Sequence, residues 1–306
     1  MKGNHRLNLA LATCIWLVSA APFRTTLEAD SHAAELRFAR PWSSAAVVPV
    51  TVNGAGLYSF LIDTGSSHTA VSPVLAASLG APRVAKTMVS TAAGDQWAAV
   101  VRLDRLVVGP LEQTNVLATE LALDVLDAGA AVDGVLGRDI LGQKPFALDY
   151  RRGVITWNDP RAEPDGVVLP LDSSGPLWLV RLDTGNGTRR LVPDSGATGM
   201  VMFDRGQWPA LQRLPGTIGV ETVTNETVGR PAVLGRLNFG PTRFVDQEVT
   251  VMDGSRVSVE HGDGLLPLHW FDRVVFDTAA GRVVFVHSPA SNLQASGLRV
   301  SGSPPE

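Results

Sequence analysis

The stretch Phe60-Leu61-Ile62-Asp63-Thr64-Gly65-Ser66-Ser67 is an apolar strand that delivers one carboxylate into a turn of small residues. A second turn of the same kind is Asp194-Ser195-Gly196-Ala197-Thr198. Glycine lets such a turn bend sharply and bring main-chain N–H groups onto the carboxylate. If the two turns face one another, they create a carboxylate pair. Two carboxylates about 3 Å apart cannot both ionise, so one takes a proton from water while the other supplies one.

A third triplet, Asp183-Thr184-Gly185, competes for the role of second partner, and an internal repeat decides between them. Asp194 stands 131 positions after Asp63, and Gly240-Pro241 stands 131 after Gly109-Pro110. Asp263-Gly264-Leu265-Leu266 follows Asp133-Gly134-Val135-Leu136 by 130, and Asp277 follows Asp149 by 128. On this register Asp183 falls opposite Val52, at the hairpin turn that precedes the motif strand. It is therefore read as a turn residue, and Asp194 as the partner of Asp63.

Composition agrees with a β-rich globular chain. There are 306 residues, 45% hydrophobic and 18% charged, with 30 glycines and 20 prolines, a mixture that favours short strands and tight turns. The net charge of −4 comes with no basic cluster, so no nucleic-acid partner is expected. The six histidines lack metal-ligand spacing, no Gly-x-Ser-x-Gly elbow is present, and the one cysteine, Cys14, lies in the N-terminal apolar run. No metal and no cofactor are expected.

Residues 1–33 read as an export signal: a basic start at Lys2, His5 and Arg6, then an apolar run over residues 7–21, too short for a comfortable membrane span. Cleavage sites are offered after Ala21 and after Ala33. The alternative is an uncleaved membrane anchor, and without it no stable membrane partner is expected. Residues 36–160 read as a first lobe, 165–287 as a second, and 288–306 as a flexible tail. In the first lobe, Asn53-Gly54 marks a hairpin whose second arm is the motif strand. Residues 73–79 read as a short helix with a stop at Gly80. A hairpin around Ala93, Gly94, Asp95 and Trp97 is a candidate flap over a cleft, and the turn at Asn225 and Glu226 is its counterpart in the second lobe. His68 either lines that cleft or lies on the surface of the motif turn.

Taken together, Ile62-Asp63-Thr64-Gly65-Ser66 and Val135-Leu136-Gly137-Arg138-Asp139-Ile140-Leu141 resemble the paired signatures of retropepsin-type aspartic proteases. With two such units in one exported chain, the sequence resembles the bacterial single-chain aspartyl protease family proteins and, more distantly, the pepsins. The resemblance implies an all-β fold of two similar β-barrel lobes related by a pseudo-twofold axis, with the cleft between them, in a chain acting as a monomer on peptide or protein substrates. It implies that Asp63 and Asp194 hold the attacking water, that Thr64 and Ser195 bond across the lobe interface, and that Gly65, Gly196, Ser66 and Thr198 support the carboxylates. Three departures fall in the second lobe. Pro193 removes a strand donor, Ala197 stands in the place of Ser66, and Leu265-Leu266-Pro267 replaces an apolar pair plus glycine. The second loop is therefore not expected to pack like the first, and a catalytically silent peptide-binding protein is the alternative function.

Overall fold

The computed structural model describes residues 16–17, 34–40, 45–92, 94–123, 132–158, 166–185, 187–208, 211–222, 226–240 and 242–287. Ala93, Asn225, both expected cleavage points and the tail at 288–306 lie outside these residues.

The first hairpin forms where the Asn-Gly pair places it. Val47–Val52 pairs with Ala55–Ile62, and both turn residues take left-handed backbone, Asn53 at φ 52° and Gly54 at φ 76°. That mirror-image turn matches the twist of the flanking strands. Val48, Val50 and Val52 are buried along the first arm, while Phe60, Leu61 and Ile62 bury the end of the second. Six strands then close a barrel, in the order Gly94–Val108, Val47–Val52, Ala55–Ile62, Gly134–Leu136, Ala70–Val71 and Leu111–Glu120, the last pairing back with the first. Arg83–Thr91 adds a further strand to Gly94–Val108. Between barrel strands, Pro73–Ser78 is the expected helix, its N-terminus capped by the Ser72 side chain accepting from the Leu75 N–H.

The second half repeats the circuit. Its closed order is Glu226–Phe239, Val180–Asp183, Thr188–Asp194, Gly264–Pro267, Val201–Asp204 and Thr242–Asp253. The registers repeat as well. Ala70 lies opposite Thr119 and Val135, and 131 positions on, Val201 lies opposite Thr250 and Leu265. This is the ladder of a duplicated unit, down to individual pairs.

Two features were not expected from the sequence. The closing hairpins, read as ends of separate lobes, merge in one six-stranded sheet, where Phe146–Asp149 pairs with Arg273–Asp277. Phe146 and Phe276 stack there with ring centroids 4.7 Å apart, and Trp178 packs on both. One apolar cluster consequently runs through both barrels and the shared sheet. In addition Trp16–Leu17, inside the stretch set outside the fold as a signal, pairs antiparallel with Ser90 and Val89.

Candidate active site

Each motif strand runs parallel to a short partner and ends at its aspartate. Ile62 lies opposite Leu136, and Asp194 lies opposite Pro267. Beyond the strand ends the turns meet in a symmetric set of four hydrogen bonds. The Thr64 N–H donates to Ser195 Oγ at 3.0 Å, and the Ser195 N–H donates to Thr64 Oγ1 at 2.9 Å. The Thr64 hydroxyl donates to the Pro193 carbonyl at 2.7 Å, and the Ser195 hydroxyl donates to the Ile62 carbonyl at 2.7 Å. The expected loss at Pro193 is therefore harmless to this network, which uses only its carbonyl.

The crossing brings Asp63 and Asp194 together, both at 0% exposure. Asp63 Oδ1 accepts from the Gly65 N–H at 2.8 Å. Asp194 Oδ1 accepts from the Gly196 N–H at 2.7 Å and the Ala197 N–H at 3.1 Å. The glycines are needed because each turn lies flat against the opposite carboxyl. A Cβ on Gly65 would stand 2.6 Å from Asp194 Cγ, and one on Gly196 would stand 3.1 Å from Asp63 Oδ1. Burial first, and the neighbouring Asp194 charge second, hold the Asp63 carboxyl well above the ordinary carboxylate range, against the pull of the Gly65 N–H. Such a pair favours carrying one proton between its two members.

The supporting residues divide. Ser66 supports the Asp63 carboxyl through its main-chain N–H, while its hydroxyl donates to the His68 carbonyl at 2.7 Å. Thr198 lies half-buried on the second turn. His68 is half-buried, with Nδ1 3.0 Å from Ser67 Oγ, and its backbone crosses so close to Gly137 that a Cβ there would stand 2.4 Å from the His68 carbonyl carbon. In the second lobe Pro267 takes the place of Gly137, and Gly199 takes the place of His68, so the small residue has changed sides. Asp139 is held by Thr69 Oγ1 at 2.8 Å and by its neighbour's N–H, Ile140, at 3.0 Å. Arg138 lies over the Trp178 ring and donates to Gly175 and Ser173 in the second half.

The candidate flap reaches across the pair's two halves. Thr91 and Gly94 close its turn, with Gly94 at φ 125°, and Ala92 packs on the second-half cluster containing Leu177, Val192, Ala197 and Leu265. Asp95 is exposed, yet its charge is felt by His261 of the second half. Trp97 points outward at 69% exposure. Glu226 opens the long strand of the opposite hairpin. Asp183 stays away from the pair: it is exposed, accepts from the Gly185 N–H at 2.9 Å and from Asn238 at 2.6 Å, and caps the turn assigned to it.

Two residues near the pair were not singled out from the sequence. Tyr150 is buried beneath it, its hydroxyl without a partner and pushed upward by burial and by the charge of Asp194. His269 lies close to Ala197 of the second motif turn, and burial pushes it down to about 4. The repeat could have revealed His269, since it stands 130 positions after Asp139; Tyr150 carries no comparable signal. A cavity of about 300 Å³ lined by Arg138, Gln143, Ser173 and Trp178 lies elsewhere and includes neither aspartate of the pair. Among the described residues no cluster of His, Cys, Asp and Glu is placed to hold a metal.

Residues 48–140 match the aspartyl protease family model, a span that contains the first motif turn, the flap hairpin and the Gly137–Arg138–Asp139 loop. No curated protein matches the chain. Among solved structures, a retropepsin-like aspartic protease from Rickettsia conorii is 19% identical, covering 43% of this chain and 96% of its own, with a TM-score of 0.31. The family likeness thus lies in residues 48–140, the span that builds the first aspartate turn.

Proposed function

We propose that the chain is an aspartic endopeptidase in which Asp63 and Asp194 share one proton and activate a water against a peptide carbonyl. The observation that carries this reading is the convergence of the two buried carboxyls under four reciprocal hydrogen bonds between Thr64, Ser195, Ile62 and Pro193. The ionised member takes a proton from water as it attacks, and the protonated member bonds to the carbonyl oxygen where negative charge develops. No metal or cofactor enters this chemistry. With both carboxyls covered, substrate entry requires the hairpin at Gly94 and Asp95 to lift.

The substrate is a peptide or an unfolded protein segment, and the chain works as a monomer, since its two halves together supply both aspartates. Export, with removal of residues up to Ala21 or Ala33, goes with this reading. The test is proteolysis of an unfolded protein such as reduced casein by the wild type, Asp63→Asn and Asp194→Asn. Cleavage by the wild type alone supports the assignment. Equal cleavage by all three proteins overturns it, and binding without cleavage in all three points to the silent relative.

A further inference from the structure

We propose that the outer edge of the hairpin strand Arg83–Thr91 is a strand-addition surface whose occupant is the chain's own N-terminal segment at Trp16–Leu17, a strap that holds the hairpin down until it is cut away. The strap's effect on turnover rests on the reading of Asp63 and Asp194 as a catalytic pair; the docking itself does not.

The sequence leaves this edge open at one end. An edge strand presents a row of unpaired N–H and C=O groups, and charged side chains along it keep other segments off. Arg83 and Lys86 are exposed on the first part of the strand, whereas Thr87-Met88-Val89-Ser90-Thr91 carries no charge. One side of the strand is taken by Gly94–Val108, from Arg83 opposite Val101 to Thr91 opposite Gly94. On the other side Trp16–Leu17 pairs antiparallel with the uncharged end, Trp16 opposite Ser90 and Leu17 opposite Val89. This is recognition by main-chain pairing, which needs an extended segment and an unguarded edge and little else. Beside the pairing, the exposed Trp97 lies opposite Met88, so the end of the hairpin that takes the added strand is also its apolar end.

The pairing sits where it resists opening. Ser90 is two residues from Ala92, which packs on the second-half cluster containing Ala197. The hairpin is thus held at its tip by the second half and along its edge by the N-terminal strand, and lifting requires both to give. Downstream the chain is held again, where Ala34–Arg37 pairs with Val154–Trp157 in the shared sheet. The two expected cleavage points, after Ala21 and after Ala33, both lie between these ladders. In the intact chain the tether keeps Trp16–Leu17 at an effective concentration on the order of millimolar at the edge, which sustains a short ladder. Hydrolysis of the peptide bond at either point turns the strap into a separate peptide, and a ladder of two residues does not survive that loss.

The test uses the full-length chain with the recognition site of a sequence-specific protease placed after Ala21, so that one preparation is measured intact and cut. Amide exchange over Met88–Ser90 and the tip, Thr91 to Gln96, should speed up about 10-fold or more on cutting, while Ala55–Ile62 keeps its protection. An uncut double variant, Trp16→Pro with Leu17→Pro, should exchange like the cut chain, because proline has no N–H to give to the ladder. Unchanged exchange in both would overturn the proposal. Protection retained after cutting in a protein of twice the mass would mean that a second copy takes the edge, and would overturn the assignment of the occupant. Turnover of reduced casein should rise about 10-fold or more on cutting, and faster exchange with equal turnover would overturn the strap's control of entry. A chain whose exchange responds but which shows no turnover in either state would sink the catalytic reading alone, because exchange is read without substrate.

Discussion

Thr64 and Ser195 each accept a hydrogen bond on the hydroxyl from the other's main-chain N–H, at 2.9 and 3.0 Å. Neither residue can be removed without stranding groups of the opposite lobe. Thr64→Val should leave the Ser195 N–H and the Pro193 carbonyl unpaired at a buried site, a cost of about 3 kcal/mol from two lost partners. Thermal melts should place Thr64→Val several degrees below the wild type and Thr64→Ser close to it. A Val variant as stable as the wild type would mean that the network does not hold the lobes together.

Asp183 provides the control for the aspartate assignment. Asp63→Asn and Asp194→Asn should each lower turnover about 1,000-fold or more, because an amide can neither take a proton from water nor return one. Asp183→Asn should cleave within about twofold of the wild type, since its carboxyl caps an exposed turn. Loss of activity in Asp183→Asn with full activity in Asp194→Asn would reverse the assignment.

The glycines of the two turns predict a separation of fold from activity. Gly65→Ala would place its Cβ 2.6 Å from the Asp194 carboxyl carbon, so the pair must spread to admit it. Turnover should fall by at least about 100-fold, since misplacement of reacting groups by about 1 Å is costly. Gly137→Ala meets the His68 backbone at 2.4 Å, which cannot yield like a side chain, and should cost stability in addition. Comparing melting temperature with kcat for the two variants distinguishes the effects.

Much of this was legible in the sequence because duplication turned weak triplets into a register. The Asn53-Gly54 turn, the two motif strands and the exclusion of Asp183 all followed from local chemistry plus a constant offset. The merged sheet was hidden because pairing between Phe146–Asp149 and Arg273–Asp277 leaves no local trace, joining strands more than 120 residues apart. Pro193 appeared as a defect because the expectation counted its missing N–H, whereas the structure uses its carbonyl.

Proton linkage at Asp63 gives a stability prediction with a definite sign. A carboxyl whose folded pKa lies above its unfolded value contributes its stability below the unfolded value and loses it as pH rises through the folded one. Asp63→Asn mimics the protonated form, so it should melt above the wild type at pH 7, with the gap closing toward pH 4. His261 and His269, both pushed down to about 4 by burial, act in the opposite sense. Their contribution is complete above about 6.5 and is lost as pH falls toward 4. His269→Gln should therefore flatten the acid side of the melting profile while leaving the gap between the Asp63→Asn variant and its parent at neutral pH. A constant gap from pH 4 to pH 7 would show that Asp63 titrates normally.

Ala92 carries the last prediction, because it is the point where the first-half hairpin touches the second half. It packs on an apolar cluster that includes Ala197, the residue that hydrogen-bonds Asp194, so the hairpin tip and the second carboxyl share one packed surface. Charge at that contact is unfavourable: an aspartate at position 92 would have to leave the cluster or be buried unpaired. The hairpin's own ladder from Arg83–Thr91 to Gly94–Val108 does not depend on the contact, so Ala92→Asp should open the tip without unfolding the barrel. Amide hydrogen exchange at the tip, from Thr91 to Gln96, should speed up about 10-fold while the barrel strand Ala55–Ile62 keeps its protection. Turnover should fall as well, since an open tip admits water to carboxyls that the closed form keeps at 0% exposure. Unchanged exchange at the tip would mean that the hairpin is not clasped through Ala92, and the cover over the pair would then have to be sought in other residues.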